Sequence, residues 1–145
     1  MPSRQPKPYG PLVTSSCRVA TWNVWGRFGD WQARQKGLIS QVSSISPDIL
    51  CLQESWETNS VRQTDLVGEA LELPHRYSTA DWPWDGWCSG ATVLSRWPII
   101  RHYILSAWPR RGGVGHPLDC RLLGETPADG VQISDHHGVY ADLRY

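Results

Sequence analysis

The sequence predicts an α/β protein, a sheet with helices packed on its faces. Three observations predict it. Strand-like and helix-like stretches alternate over the first two thirds of the chain, in the order β-α-β-α-β-β. The run Ile49-Leu50-Cys51-Leu52 is continuously apolar, as a strand covered on both faces must be. Leu38, Val42 and Ile45 recur at helical spacing and mark one apolar helix face. With 145 residues the chain makes one domain and can bury a core without a disulfide or metal staple.

The elements follow in order. Residues 1–16 read as a loose leader, because Pro2, Pro6, Pro8 and Pro11 exclude a helix. That stretch has no apolar segment of the kind a secretory signal carries, and nothing in the sequence reads as a membrane span. The domain then occupies 17–145. Residues 18–24 form a first strand ending at Asn23 or Trp25, broken by Gly26 and Gly29. Asp30 caps a helix over 31–44, which Ser46-Pro47-Asp48 ends. Ile49 to Leu52 make a second strand, terminated by Gln53 and Glu54. A second helix covers 60–73, with Val61, Leu66, Val67, Ala70 and Leu71 on its buried side and Pro74 as its stop. Residues 76–79 make a short strand. Two more, over 91–95 and 99–105, join around Arg96-Trp97-Pro98.

The alternation then fails. Residues 108–116 hold Pro109, Gly112, Gly113 and Gly115 without periodicity, and no Gly-Lys-Ser/Thr follows to make a phosphate-cradling loop. A strand over 118–123, a turn over 126–130 and a final strand over 138–143 complete the chain.

Composition narrows function. Fourteen basic residues balance fourteen acidic ones, so bulk attraction to nucleic acid is not indicated and any phosphate binding must be local. Arg110-Arg111 reads as a solvated loop rather than a phosphate clamp. Cys17, Cys51, Cys88 and Cys120 form no CxxC pair, which argues against zinc, and Cys51 reads as a small buried hydrophobe. Reduced thiols and the lack of a signal fit a cytoplasmic protein. Nine tryptophans are far above ordinary usage. Trp82, Trp84 and Trp87 crowd the segment Asp81-Trp82-Pro83-Trp84-Asp85-Gly86-Trp87. This is either a stacking platform for bases or sugars or, as the favoured expectation, a loop folded over the core by its own rings.

Three places carry candidate chemistry. Glu54 follows an apolar strand, where open α/β sheets place ligands, and a lone carboxylate on a rigid strand tip suits Mg²⁺. A helix-capping or ion-paired Glu explains it equally well. The Asn23 amide can ligate Mg²⁺ or donate to a phosphate oxygen, although a turn Asn before Gly26 is the simpler reading. In Asp135-His136 a carboxylate beside an imidazole can fix its tautomer and favour its charged form, and such a His can stabilise charge on a phosphoryl group. A surface turn before the last strand is the plain alternative. His137 points elsewhere in an extended segment and is read as structural or exposed.

Spacing alone cannot join these places, but a family resemblance does. Thr21-Trp22-Asn23-Val24-Trp25-Gly26 and Leu50-Cys51-Leu52-Gln53-Glu54-Ser55-Trp56 resemble the first two motifs of the endonuclease/exonuclease/phosphatase family. The run from Gly90 through Thr92, Arg96 and Pro98 to Ile99 resembles the strand pair before that family's central section. Ser134-Asp135-His136-His137-Gly138-Val139 resembles its closing motif. The resemblance covers most of 18–104 and 118–143 and implies a two-sheet α/β sandwich flanked by helices. It implies a Mg²⁺-dependent phosphoester hydrolase, with Mn²⁺ as substitute metal. Its substrate would be nucleic acid, a nucleotide or a lipid phosphate headgroup. Glu54 would hold metal, Asn23 would contact metal or phosphate, and Asp135 would assist His136 at the scissile phosphate.

The family's central Thr-His pair and Gly-Asp-x-Asn motif have no counterpart here. Near the gap stand only His102, His116 and Asp119, without motif context. The chain reads as carrying an internal deletion, with a break near 106–117, so the sandwich is expected to be incomplete. Uncovered sheet edges would then invite self-association. Loss of a water-positioning group lowers rates by about 10²–10⁴-fold, so impaired or absent catalysis is expected. A non-catalytic remnant or a Trp-rich nucleotide- or glycan-binding module is the alternative.

Overall fold

The computed structural model describes residues 16–99 and 116–144. Strand β1 (Ser16–Asn23) leads through a short loop to helix α1 (Trp31–Ile45) and back to strand β2 (Ile49–Glu57), which lies parallel to β1. The helix starts where sequence places it, because the Asp30 carboxylate accepts the Ala33 N–H at 3.1 Å. It ends at Ser46, which takes a left-handed φ of 47° and donates its N–H to the Val42 and Ser43 carbonyls. Helix α2 (Gln63–Ala70) follows, then β3 (His75–Ser78), β4 (Trp82–Trp84), β5 (Trp87–Ser95), β6 (His116–Leu123) and β7 (Gly138–Arg144). The described strands form one sheet in the order β3-β5-β2-β1-β7-β6, with β4 beside β5, and only the β1–β2 pairing is parallel.

Strand alternation puts the core on one face of this sheet. Ala20 and Trp22 of β1, Leu50 and Leu52 of β2 and Leu94 of β5 pack against Leu38, Val42 and Ile45 of α1 and Val67 of α2. Gly37 lets α1 approach closely, since a Cβ there would lie 2.2 Å from the Ile133 side chain. The opposite face carries Val19, Thr21, Cys51, Gln53, Ala91 and Val93, of which Thr21, Gln53 and Ala91 are exposed. The architecture is thus α/β, an incomplete sandwich with one sheet and its helix layer.

Several elements differ in extent from the sequence reading. Helix α2 begins three residues late, because the Thr58 hydroxyl accepts the Ser60 and Val61 N–H groups and closes a turn there. Strand β2 does not stop at Gln53 and Glu54 but runs on to Glu57. The tryptophan segment is a hairpin, β4 and β5 turning at Gly86 with φ 75°. Cys51 is half-buried rather than fully buried, and desolvation raises its thiol pKa. Ser16 opens β1. The rest of the 1–16 leader, the strand over 99–105 beyond Ile99, His102, Arg110-Arg111 and the 106–115 part of the break lie outside the described residues. Among the described residues no helix is long and apolar enough to cross a membrane.

Candidate functional site

The site is built where β1 and β2 end side by side. Leu52 pairs with Thr92 of β5, but Ser55, not Glu54, pairs with Gly90. Strand β2 therefore carries one extra residue at Gln53-Glu54, a β-bulge. A strictly alternating strand would put Glu54 on the core face with Leu50 and Leu52. The bulge gives that place to Ser55, whose hydroxyl bonds the Gly90 carbonyl at 3.1 Å and the Thr92 hydroxyl at 2.7 Å. Glu54 takes a left-handed φ of 54°, a conformation that a non-glycine residue holds only when its surroundings demand it. The demand is visible: Val24 N–H donates to the Gln53 carbonyl and Gly26 N–H to the Glu54 carbonyl, at 2.9 and 3.0 Å. The β1 exit loop thus follows the bulge and locks it.

Asn23 joins the two strands through its side chain. Its Nδ2 donates to Glu54 Oε1 at 2.8 Å, and its Oδ1 accepts the Trp25 N–H at 3.0 Å. The amide orients the carboxylate and caps the turn at once. The Asn23 carbonyl accepts the Ser134 hydroxyl at 2.6 Å, and the same hydroxyl accepts the His136 N–H at 3.1 Å. Trp22, 1% exposed, donates its indole N–H to the His136 carbonyl at 2.8 Å. His136 Nε2 stands 3.6 Å from Asp135 Oδ1, with both side chains about half exposed. A chain of contacts thus runs from Glu54 through Asn23 and Ser134 to Asp135 and His136. The four residues singled out from sequence share one end of the sheet, and His137 is exposed beside them.

Arg34 holds this end together. It is 5% exposed, and its guanidinium donates to the carbonyls of Val24, Trp25, Gly26, Phe28 and Ile133. Burial lowers its pKa, while Asp135 and Asp30 act the other way. One planar fork thereby fixes both the β1–α1 loop and the segment that leads to Asp135. The clamp made by Arg34 and the hydrogen-bonding roles of Ser134 and the Trp22 indole do not follow from the motif runs. A signal existed for Arg34, since it sits four residues before Leu38 and continues the apolar stripe of α1.

Among the described residues no three His, Cys, Asp or Glu side chains gather to hold a metal ion. Glu54 is a single carboxylate whose Oε2 has no hydrogen-bond partner among the described residues, while Asn23 orients its Oε1. That donor set fits Mg²⁺, which accepts one or two carboxylates and keeps several waters, and it does not fit a dedicated all-protein cage.

This fold and these motifs define a class. The chain matches the Endonuclease/Exonuclease/phosphatase family over residues 20–141, and it belongs to that family. It is similar in fold to an endonuclease/exonuclease/phosphatase family protein from Leptotrichia buccalis, at 13% identity and TM-score 0.51, covering 59% of this chain and 39% of that one. It is also similar to a humanized D. rerio TDP2, at 11% identity and TM-score 0.64, covering 90% of this chain and 99% of that one. A Beutenbergia cavernae family member matches at 21% identity and TM-score 0.47, over 72% of this chain but 29% of its own. The chain therefore spans well under half of the two bacterial structures. No curated protein gave a significant match.

Proposed function

We propose that this chain is a Mg²⁺-dependent phosphoester hydrolase of the nuclease and phosphodiesterase type. The observation that supports it most is the Asn23–Glu54 hydrogen bond, tied through the Asn23 carbonyl to the Ser134-Asp135-His136 turn. Glu54 would hold the metal, with Mn²⁺ able to replace Mg²⁺. The chemistry a bound Mg²⁺ supplies is polarisation of a phosphoryl oxygen. Asn23 keeps Glu54 in place and, among the described residues, has a second amide hydrogen to offer a phosphate oxygen. Asp135, 3.6 Å from His136 Nε2, helps to orient the imidazole, and His136 donates to the phosphoryl group where charge develops. The substrate is nucleic acid, a nucleotide or a phosphorylated headgroup, met in a reducing cytoplasm.

The test is hydrolysis of bis-p-nitrophenyl phosphate with Mg²⁺, with EDTA, and with Glu54→Gln. Mg²⁺-dependent turnover that EDTA and Glu54→Gln both abolish is expected. Turnover untouched by Glu54→Gln would sink the metal assignment. A second reading is a folded but non-catalytic member. Among the described residues no three His, Cys, Asp or Glu side chains gather, an observation that fits it. It forecasts Mg²⁺ binding without turnover on any phosphoester.

A further inference from the structure

In the β4–β5 hairpin the expectation that the tryptophans fold onto the core fails for Trp82 and Trp84, while Trp87 is partly buried over Gly26. Trp82 is 71% and Trp84 52% exposed. Trp84 and Trp87 stack with centroids 5.6 Å apart and an interplanar angle of 11°. Phe28, from the β1–α1 loop, meets both edge-on at 5.1 and 5.5 Å and braces the pair. Trp82 lies two residues before Trp84 on the strand, hence on the same face of the hairpin. Exposure of such large rings is unfavourable unless something covers them.

The location of the pair narrows what covers it. Gly26 sits under Trp87, so close that a Cβ would lie 2.5 Å from the indole, and the Gly26 N–H bonds the Glu54 carbonyl. The stacked pair is thus one residue removed from the bulge that aims Glu54. Beside it opens a cleft of about 250 Å³ lined by Glu57, Thr58, Asn59, Trp84 and Trp87. Among the described residues no Lys or Arg lines this cleft, and Glu57 brings a carboxylate to it. Such a cleft repels phosphate and accepts a neutral flat ring, with Asn59 able to bond a polar ring edge.

We propose that Trp84 and Trp87 form a stacking subsite for a nucleobase attached to the phosphate at Glu54, on a single strand or a free nucleotide. This rests on the phosphoesterase reading of Glu54, which supplies the reason for a base rather than another ring. Stacking on an aromatic face tolerates any base, so the subsite gives affinity without sequence preference.

The experiment measures binding with Mg²⁺ present to a fluorescein-labelled phosphorothioate oligothymidylate, whose linkages resist hydrolysis, followed by anisotropy. Trp84→Ala, at a half-exposed position, is expected to weaken binding about tenfold or more, and Trp84→Phe to keep most of it. Unlabelled thymidine monophosphate is expected to compete, and 2-deoxyribose 5-phosphate, which lacks the base, is not. Undetectable binding by the wild-type protein, or a Trp84→Ala affinity within twofold of it, overturns the proposal. So does equal competition by the baseless sugar phosphate or by a neutral oligosaccharide, the latter marking a glycan site instead. Circular dichroism confirms that each variant is folded. Because binding is read without turnover, its failure is separate from the Glu54→Gln hydrolysis result that tests the phosphoesterase reading.

Discussion

Arg34 is the residue on which the candidate site turns. Its guanidinium serves five backbone carbonyls drawn from two segments distant in sequence. Arg34→Met keeps the aliphatic stem and strands those acceptors. A loss of about 3 kcal/mol is expected, since hydrogen bonds to charged groups stabilise more than neutral ones. Urea unfolding measures it, and Arg34→Lys should not restore it, because an ammonium cannot span a fork-shaped set of acceptors. Trp22 acts on the other side of the site, where its indole N–H holds the His136 carbonyl. Trp22→Phe preserves much of the buried ring but drops that bond. Stability should fall by about 1–2 kcal/mol, and any phosphodiester turnover should fall with His136 displaced. Thermal unfolding run beside the hydrolysis assay separates the two effects.

At the scale of elements, the β2 bulge and the β1 exit loop form one device. Gly26 holds φ 47° beneath Trp87, so Gly26→Ala meets both a backbone and a steric obstacle. It should lower stability by about 1–2 kcal/mol in thermal unfolding, unless Trp87 moves aside and loses its stacking on Trp84. The β1–β7 pairing has its own clamp. Arg18 Nε and Nη2 bond Asp142 Oδ1 and Oδ2 at 2.7 and 2.9 Å. The hydrogen bond from Arg18 holds the Asp142 carboxyl below its ordinary pKa. A depressed carboxyl pKa stabilises the folded chain above the unfolded-state value, and that contribution disappears as pH falls through the folded-state value. Stability should therefore decline with acidification below about pH 4, and Asp142→Asn should flatten the decline. Urea midpoints collected across that pH range test the sign.

At the scale of the whole molecule, metal binding and folding are linked if Glu54 is a ligand. An ion that binds only the folded chain stabilises it by about 1.4 kcal/mol at ten times its Kd. Mg²⁺ should accordingly raise the unfolding temperature of the wild-type protein and leave Glu54→Gln unmoved, whether or not turnover occurs. Much of the fold was legible beforehand. The Asp30 cap, the α1 stripe of Leu38, Val42 and Ile45, and the apolar run of β2 follow from local periodicity, which neighbouring strands and helices merely complete. The motif residues Asn23, Glu54, Asp135 and His136 were readable from their runs. Their connection was not, because Asn23 meets Glu54 across 31 positions and Ser134 across 111. Sequence by itself determined the class of fold, the family and the candidate chemistry, since these reside in composition, spacing and motif. Tertiary structure alone decided that Glu54 leaves the core face through a bulge and that Arg34 is buried as a clamp. It also decided that Trp82 and Trp84 face outward, because register, burial and ring packing depend on contacts between segments that no local pattern encodes.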